Sequence, residues 1–506
     1  MSDLKRNVVA NFAGRVWANV VNVAAVPIYL KLVGIEAYGL VGFYVALQTM
    51  FAYLDFGLGP ATVREIARLG VDDSSAARQR DLIRTLEYIY WLLAILFGTI
   101  VYAAAPVIAE RWVQPEQLST ATVTNAVRWM GLAIAVQFPF AMYSGALMGL
   151  QRQVLVNTMM VASSTARAIG AVLGLMFIAP RIEVFLAVHA LVGLATTLWS
   201  VERIWQVLPH AEKKAAFHLE VIRDIWKFAV GTTGLALAHV AFLQADKLIL
   251  STMLPLAAFG YYTVAQSVTG VLWSAITPVS VSFFPRMAQL TAPENREEVL
   301  HLFHRACQSI AVLVFPPALV LVFFSYEVLA VWTHNAAVAT NASVVVSLAA
   351  LAMMAVAVGE MPNLLRLAFG WIELALKARI GLLLVFVPLL IFCASRWGAV
   401  GAAAAWLVVN VAYLVITVLG THRRLLYGEL RRWFVTDTML PLAATTAAAV
   451  MARFALSTNA STPTRVIAVG LAGLVMLIVA VAASGLRGRV WREATELRLR
   501  FANGKG

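Results

Sequence analysis

Residues 78–109 read RQRDLIRTLEYIYWLLAILFGTIVYAAAPVIA: three arginines, then an almost unbroken apolar run. A helix needs about 20 apolar residues to cross the hydrocarbon of a bilayer, and the stretch 85–109 is long enough. Working outward, the same alternation fills the chain. Apolar stretches recur at 8–31, 37–57, 85–109, 126–149, 154–179, 184–205, 226–250, 258–283, 303–324, 342–360, 376–394, 398–420, 436–456 and 465–485. Of the 39 Lys and Arg, 29 fall in the N-terminal tail, the even-numbered gaps and the C-terminal tail or at the edges of these gaps. Seven lie in or beside odd-numbered gaps, and three lie inside apolar stretches. Basic residues flanking a span stay on the cytoplasmic side. The pattern predicts an all-α integral membrane protein of about 14 transmembrane helices with both termini in the cytoplasm.

Composition agrees. Hydrophobic residues make up 61% of the chain and charged residues 13%, against about 25% charged in soluble domains. The net charge of +13 is accounted for by the basic gaps, so no nucleic-acid partner is expected. Cys307 and Cys393 sit in or beside apolar stretches without metal-type spacing, so neither a disulfide framework nor a metal site is expected. Met1 to Arg6 is short and basic and runs into the first apolar stretch with no small-residue cleavage site. It reads as an uncleaved first span. The odd gaps leave no room for a catalytic domain, and the even gaps none for a nucleotide-binding domain.

An internal repeat is visible. An offset of 221 residues lays Ala37-Tyr38-Gly39 on Ala258-Phe259-Gly260, and Ile66-Ala67-Arg68-Leu69 on Met287-Ala288-Gln289-Leu290. The same offset separates the first span from the seventh. Two six-span halves of equal orientation are a transporter plan. It predicts six-helix bundles at 1–210 and 211–425, and a region 426–506 with two extra transmembrane helices and a basic cytoplasmic tail.

Ionisable residues inside the membrane cost at least about 2.5–3.5 kcal/mol, and each needs a reason. The first span carries Asn7, Asn11, Arg15, Asn19 and Asn22 on one helical face. Such a stripe faces either a helix neighbour or water. Arg15 lies about 12 Å in by helix rise and can also snorkel to the inner surface. Pro27 is expected to kink the outer end of this helix. Arg167 lies roughly 20 Å into the fifth span, near the midplane, with Asn157 and Ser164 on its face. No acid in the first half stands at its depth, since Asp55 falls at the inner end of span two. It is either paired to backbone carbonyls or a hidden acid, or it faces a watery cavity, where its planar fork matches phosphate oxygens. Span seven holds Thr232, His239 and Asp246 at heptad spacing with Lys247 adjacent. Neighbours on a helix point different ways, so Asp246 and Lys247 are expected to diverge, one into a cavity and one to the outer surface. Tyr44, Gln48 and Asp55 share a side of span two; Gln266, Thr269, Trp273 and Thr277 share one of span eight. Aromatic and amide groups of this kind stack on and hydrogen-bond sugars, and equally serve helix packing.

The chain lacks a GxxxxGK[ST] loop and an HExxH pair, and no Ser/His/Asp arrangement emerges from spacing. No cofactor and no enzymatic activity are expected. His301 and His304 are expected to be solvated in an inner loop.

Leu54-Asp55-Phe56-Gly57-Leu58-Gly59-Pro60-Ala61 followed by Arg64 resembles the inner end of span two in polysaccharide flippases. Asp246-Lys247, then Gly260-Tyr261-Tyr262 and Ala265, is similar to the start of their second half. Gly398-Ala399-Val400-Gly401-Ala402-Ala403-Ala404 resembles the start of their twelfth span. In order, across most of the chain, these stretches resemble the Wzx-type family of the multidrug/oligosaccharidyl-lipid/polysaccharide (MOP) exporter superfamily. The resemblance implies two six-helix bundles around a central cavity. It implies translocation of undecaprenyl-diphosphate-linked oligosaccharides, of O-antigen, exopolysaccharide or capsule type, from the inner to the outer leaflet of the bacterial plasma membrane. Most members have about twelve spans; the two extra ones here resemble the lipid II flippases.

Under that reading Arg15 and Arg167 hold the diphosphate. Asn11, Asn19, Asn157, Gln48, Tyr44, Gln266 and Trp273 line the cavity for the sugars, and a gap between the halves takes the polyprenyl tail. Asp55, His239, Asp246 and Lys247 are candidates for ion coupling. Expected partners are the lipid-linked oligosaccharide, membrane lipids, and a polysaccharide polymerase or chain-length machinery. Two rivals remain: a cation-coupled drug or metabolite antiporter of the same superfamily, which wants span acids, and a membrane-embedded polymerase or glycosyltransferase, which wants a large outer loop or an acidic cluster.

Overall fold

A computed structural model describes residues 3–70, 75–220, 223, 240–456 and 462–486. Among them the secondary structure is helical, apart from one isolated bridge between Gln114 and Pro255. The helices are α1 (Asp3–Tyr53), α2 (Leu58–Leu69), α3 (Ala76–Val107), α4 (Thr120–Gln137), α5 (Phe140–Gly149), α6 (Gln153–Phe177) and α7 (Ile182–Val207). They continue as α8 (240–253), α9 (Leu256–Gln289), α10 (Arg296–Phe323), α11 (Ser325–Thr333), α12 (Ala336–Ala368), α13 (Glu373–Arg424), α14 (Leu430–Ala455) and α15 (Thr462–Ala483).

Eleven described helices are long and apolar enough to cross a membrane. Two of these hold two predicted spans each. α1 breaks at Gly34 (φ 81°, ψ 170°) and α13 at Gly398 (φ 58°, ψ −138°). A side chain is strained in these conformations and glycine is not. The break in α1 is therefore at Gly34, while Pro27 lies inside the helix. The seventh predicted span is described only from residue 240. With that span, the eleven helices and the two internal breaks account for the fourteen predicted spans.

The chain forms two compact units, 1–263 and 264–506. In the first, α1 packs along α6, α3 on α4, α4 and α6 on α7, and α2 on α5. Leu40, Phe43, Leu86, Tyr90, Met130, Tyr143 and Met159 fill its interior. Leu92, Ile95, Leu96 and Ile100 of α3 and Leu173, Met176 and Phe177 of α6 are exposed, an apolar outer surface suited to hydrocarbon.

The Leu54–Ala61 stretch is a turn built around one carboxylate. Phe56 and Gly57 both have positive φ. Asp55 accepts from the N–H groups of Gly57 (2.9 Å) and Gly59 (3.0 Å) and from the Tyr90 hydroxyl (3.3 Å). Its charge thus satisfies orphan donors at the start of α2. Helix α2 then lies close on α5, where a Cβ on Gly149 would meet Ile66 at 2.9 Å.

The two stretches aligned by the offset lie against each other. A Cβ on Gly39 would collide with the Leu256 carbonyl, and one on Gly260 with the Ile35 carbonyl. Adding 221 to 35 and 39 gives 256 and 260, so the two contacts exchange partners under the offset. Gly42 abuts Thr263, its own equivalent. Gly39→Ala and Gly260→Ala should each destabilise, by about 1–3 kcal/mol for overpacking, less up to about 1 kcal/mol of helix propensity regained. Thermal unfolding in detergent measures both. Two variants as stable as the parent would show that the helices do not approach this closely.

In the second unit α12 packs on α13 and α10, and α14 on α15, which also meets α10. Past the Gly398 break, a Cβ on Gly401 would collide with the Cys393 carbonyl. Arg453 of α14 pairs with Glu327 of α11 at 2.5 Å. α14 begins with a π-helical segment, Trp433–Met439.

Candidate functional site

Four helices of the first unit converge on Arg167. α6 supplies the arginine, α1 Tyr44 and Gln48, α4 Gln137, and α7 His189. The Gln137 carboxamide, turned oxygen-first towards the guanidinium, accepts from Arg167 Nη1 at 2.8 Å and also from Nη2. The Gln48 carboxamide abuts its other side. Arg167 Nε has no hydrogen-bond partner, and neither does the hydroxyl of Tyr44, which is buried. The Tyr44 ring meets His189 edge-on at 5.9 Å, and His189 Nδ1 lies 2.9 Å from the Phe185 carbonyl. Among the described residues no carboxylate lies within ion-pair distance of Arg167. The site is thus one fixed positive charge held by neutral amides, a phenol and an imidazole. Guanidinium N–H donors with neutral neighbours can turn to a planar anion such as a phosphate.

Three predicted residues, Tyr44, Gln48 and Arg167, are brought together here. Gln137 and His189 were missed because an amide and an imidazole in an apolar run carry no charge signal. Asn157 lies elsewhere. It is buried in the contact between α1 and α6, donates to the Gln153 carbonyl at 2.7 Å, and is the side chain that a Cβ on Gly14 would meet. Trp17 Nε1 donates to Thr165 across the same contact at 2.9 Å. Asn157 is thus a packing residue in this conformation. Asn19 is exposed on α1, while the side chains of Asn7, Asn11 and Arg15 lie outside the described residues, as do Thr232 and His239.

Asp246 and Lys247 do not diverge as expected. Asp246 is buried and accepts from the Tyr262 hydroxyl at 2.6 Å, and Lys247 Nζ returns to 3.9 Å from it. The lysine stem is long enough to fold back over one turn, donating to the Leu243 carbonyl at 3.4 Å. This explains the spacing between Asp246-Lys247 and Tyr262. His304 also differs from expectation. It is buried against Asp437 and Glu429 rather than solvated, because α10 extends to Arg296 and α14 packs over it.

In the second unit, Gln266 is half-buried on α9 and Trp273 exposed, while Thr269 and Thr277 bond to carbonyls of their own helix. Arg366, between the apolar stretches 342–360 and 376–394, is almost wholly buried, in the last turn of α12. Its Nη2 donates to Asn363 at 3.0 Å, and its Nε and Nη1 find no hydrogen-bond partner.

The sequence profile described as polysaccharide biosynthesis protein matches residues 4–291, more than half of the chain. The chain belongs to this family. Its fold is that of MOP superfamily transporters. The lipid II flippase MurJ, in an inward closed conformation, superposes with a TM-score of 0.72 at 12% identity, covering 96% of this chain and 99% of that one. An inward-facing multidrug resistance MATE transporter of the MOP superfamily gives 0.68 at 14% identity, covering 82% and 96%. A MOP transporter from Pyrococcus furiosus, described as having a binding pocket of reversed polarity, gives 0.52 at 14%, covering 85% and 96%. No curated protein sequence matches the chain. This family member is a multi-pass membrane protein with a transporter fold, and among the described residues of its first unit no carboxylate pairs with Arg167.

Proposed function

We propose that this protein is a flippase that moves undecaprenyl-diphosphate-linked oligosaccharide repeat units, of O-antigen, exopolysaccharide or capsule type, from the inner to the outer leaflet of the bacterial plasma membrane. The observation that carries this reading is Arg167, a half-buried guanidinium within a span, set among neutral groups, in a chain of the polysaccharide biosynthesis protein family. Its charge and fork suit a diphosphate, with Arg15 as the second cation. Tyr44, Gln48 and Gln137 beside it offer a phenol and two amides to the first sugar. Residues 1–210 and 211–425 act as the two bundles of an alternating-access transporter, and 426–506 as an appended pair with a basic tail.

Energy comes from the membrane potential. One charge crossing 100 mV is worth about 2.3 kcal/mol, so a diphosphate with two negative charges gains about 4–5 kcal/mol moving outward from an inside-negative cell. The antiporter reading wants acids free to bind cations; Asp55 is occupied by donors of its own chain, while Asp246 accepts from Tyr262 through Oδ2 and faces Lys247 Nζ at 3.9 Å with an Oδ1 that has no hydrogen-bond partner. A deletion strain should accumulate complete lipid-linked repeat units on the inner leaflet. Truncated glycans would point instead to a glycosyltransferase or polymerase. Units delivered outward become substrate for a polymerase and chain-length machinery, the expected partners.

Orientation follows from the 29 basic residues on one side. Reporter fusions after residues 70, 215, 290 and 425 should read cytoplasmic, and those after 115, 335 and 460 external. An external reading at 215 or 425 would overturn the orientation.

A further inference from the structure

His304 of α10 is 3% exposed, and each of its ring nitrogens faces a carboxylate oxygen. Nδ1 meets Asp437 Oδ2, and Nε2 lies 3.1 Å from Glu429 Oε2. Gln308, one turn on, donates to the other Asp437 oxygen at 2.7 Å. An ionised carboxylate only accepts hydrogen bonds, and a neutral imidazole has a single N–H. A neutral His304 between two carboxylates would therefore aim a lone pair at an oxygen. The arrangement is satisfied only when it holds one more proton, shared among the imidazole and its two acids. We propose that His304, Asp437 and Glu429 form a single-proton binding site that latches the α14–α15 pair to the second unit's bundle.

Position supports a latch. His304 and Gln308 belong to α10, whereas Glu429 and Asp437 belong to the segment that opens α14. Asp437 and Trp433 lie in the π-helical segment Trp433–Met439, whose wider winding re-aims side chains and is frequent at functional sites. The other groups near the site leave the proton balance local. Arg432 lies 4.0 Å from Glu429. His422 of α13 points Nδ1 at the Val418 carbonyl at 2.9 Å, packs against Trp433 at 5.2 Å, and has no partner for Nε2. Cys307 lies beside Asp437, the two lining a cavity of about 10 Å³ with Trp433 and Thr438. With the proton bound, the imidazolium and Arg432 balance the two carboxylates. Without it, one buried negative charge is uncompensated and the latch loosens, so docking weakens as pH rises. The site lies within the second unit and does not depend on the identity of the transported lipid.

Cys307 reports on opening. It is buried, and Cys393→Ala leaves it the sole thiol of the chain. In membranes carrying that background, the rate of maleimide labelling measures exposure of the latch. His304→Gln should raise the rate on the order of a hundredfold, the consequence of stranding a buried carboxylate. Adding Asp437→Asn, which removes the stranded charge, should return most of it. Between about pH 6 and about pH 9, labelling should rise more steeply in the parent than in the double variant, which lacks the His304–Asp437 pair. Equal labelling of His304→Gln and the double variant, or the same pH response in parent and double variant, would overturn the proposal.

Discussion

Arg167→Ala abolishes export of lipid-linked repeat units while leaving the protein near its normal abundance: that is the expected result. The argument is the identity of the neighbours. Gln137 and Gln48 are amides, Tyr44 a phenol and His189 an imidazole, and no described carboxylate pairs with the guanidinium. Removing it costs the Gln137 oxygen two hydrogen bonds from a charged donor, about 1.5–3 kcal/mol each, offset by no longer holding the guanidinium away from water. Stranding a buried partner charge would cost about 3–5 kcal/mol. Export is lost because no other described group at this site offers a fixed positive charge. Arg167→Lys should restore export only in part, since an ammonium keeps the attraction and loses the bidentate geometry. Export and membrane abundance measured together decide the matter. Low abundance would mark Arg167 as structural, and full export at normal abundance would remove it from the mechanism.

Glu87→Ala should do the opposite, lowering abundance and thermal stability together. Glu87 of α3 accepts from the Tyr143 hydroxyl at 2.7 Å, the Trp205 indole at 3.2 Å and Arg84 at 2.6 Å. It joins α3, α5 and α7 through one buried carboxylate, with the Arg84 guanidinium stacked over Trp205 at 4.5 Å. Its removal leaves three donors without their acceptor. Arg84 keeps 39% side-chain exposure, so water takes up part of the loss. We expect about 2–4 kcal/mol, below the full cost of breaking a buried pair. Glu87→Gln, which retains an acceptor oxygen, should lose less. The exposed pair Lys377–Glu373 at 3.5 Å serves as control, with Glu373→Ala changing stability by no more than about 1 kcal/mol. Equal effects of Glu87→Ala and Glu373→Ala would contradict the arrangement.

Particular residues also show what a sequence can reveal. Span positions were legible, because an apolar run of membrane length and a basic gap are properties of consecutive residues. The repeat was legible through Gly39 and Gly260, since close backbone approach admits only glycine. Arg167 stood out because a guanidinium at mid-span is expensive. Its surroundings did not stand out: Gln137 and His189 come from helices whose alignment depends on packing. The Leu54–Ala61 stretch was recognisable as a motif, yet its physical content, Asp55 serving the N–H groups of Gly57 and Gly59, needed the positive φ of Phe56 and Gly57. Asp246 and Lys247 were misread because the direction of Cβ says little about where a flexible lysine ends. His304 was misread because its acids lie more than a hundred residues away.

The central claim is outward movement of a diphosphate-linked glycolipid through a site containing Arg167. Its most direct test is reconstitution of the purified protein in liposomes carrying an undecaprenyl-diphosphate oligosaccharide in both leaflets. Accessibility of the sugar to an external glycosidase is followed under an imposed inside-negative potential. The account predicts that the inner-leaflet fraction becomes accessible in a potential-dependent manner with the wild-type protein and stays protected with Arg167→Ala. No potential-dependent gain with the wild type, or an equal gain with the alanine variant, would contradict it.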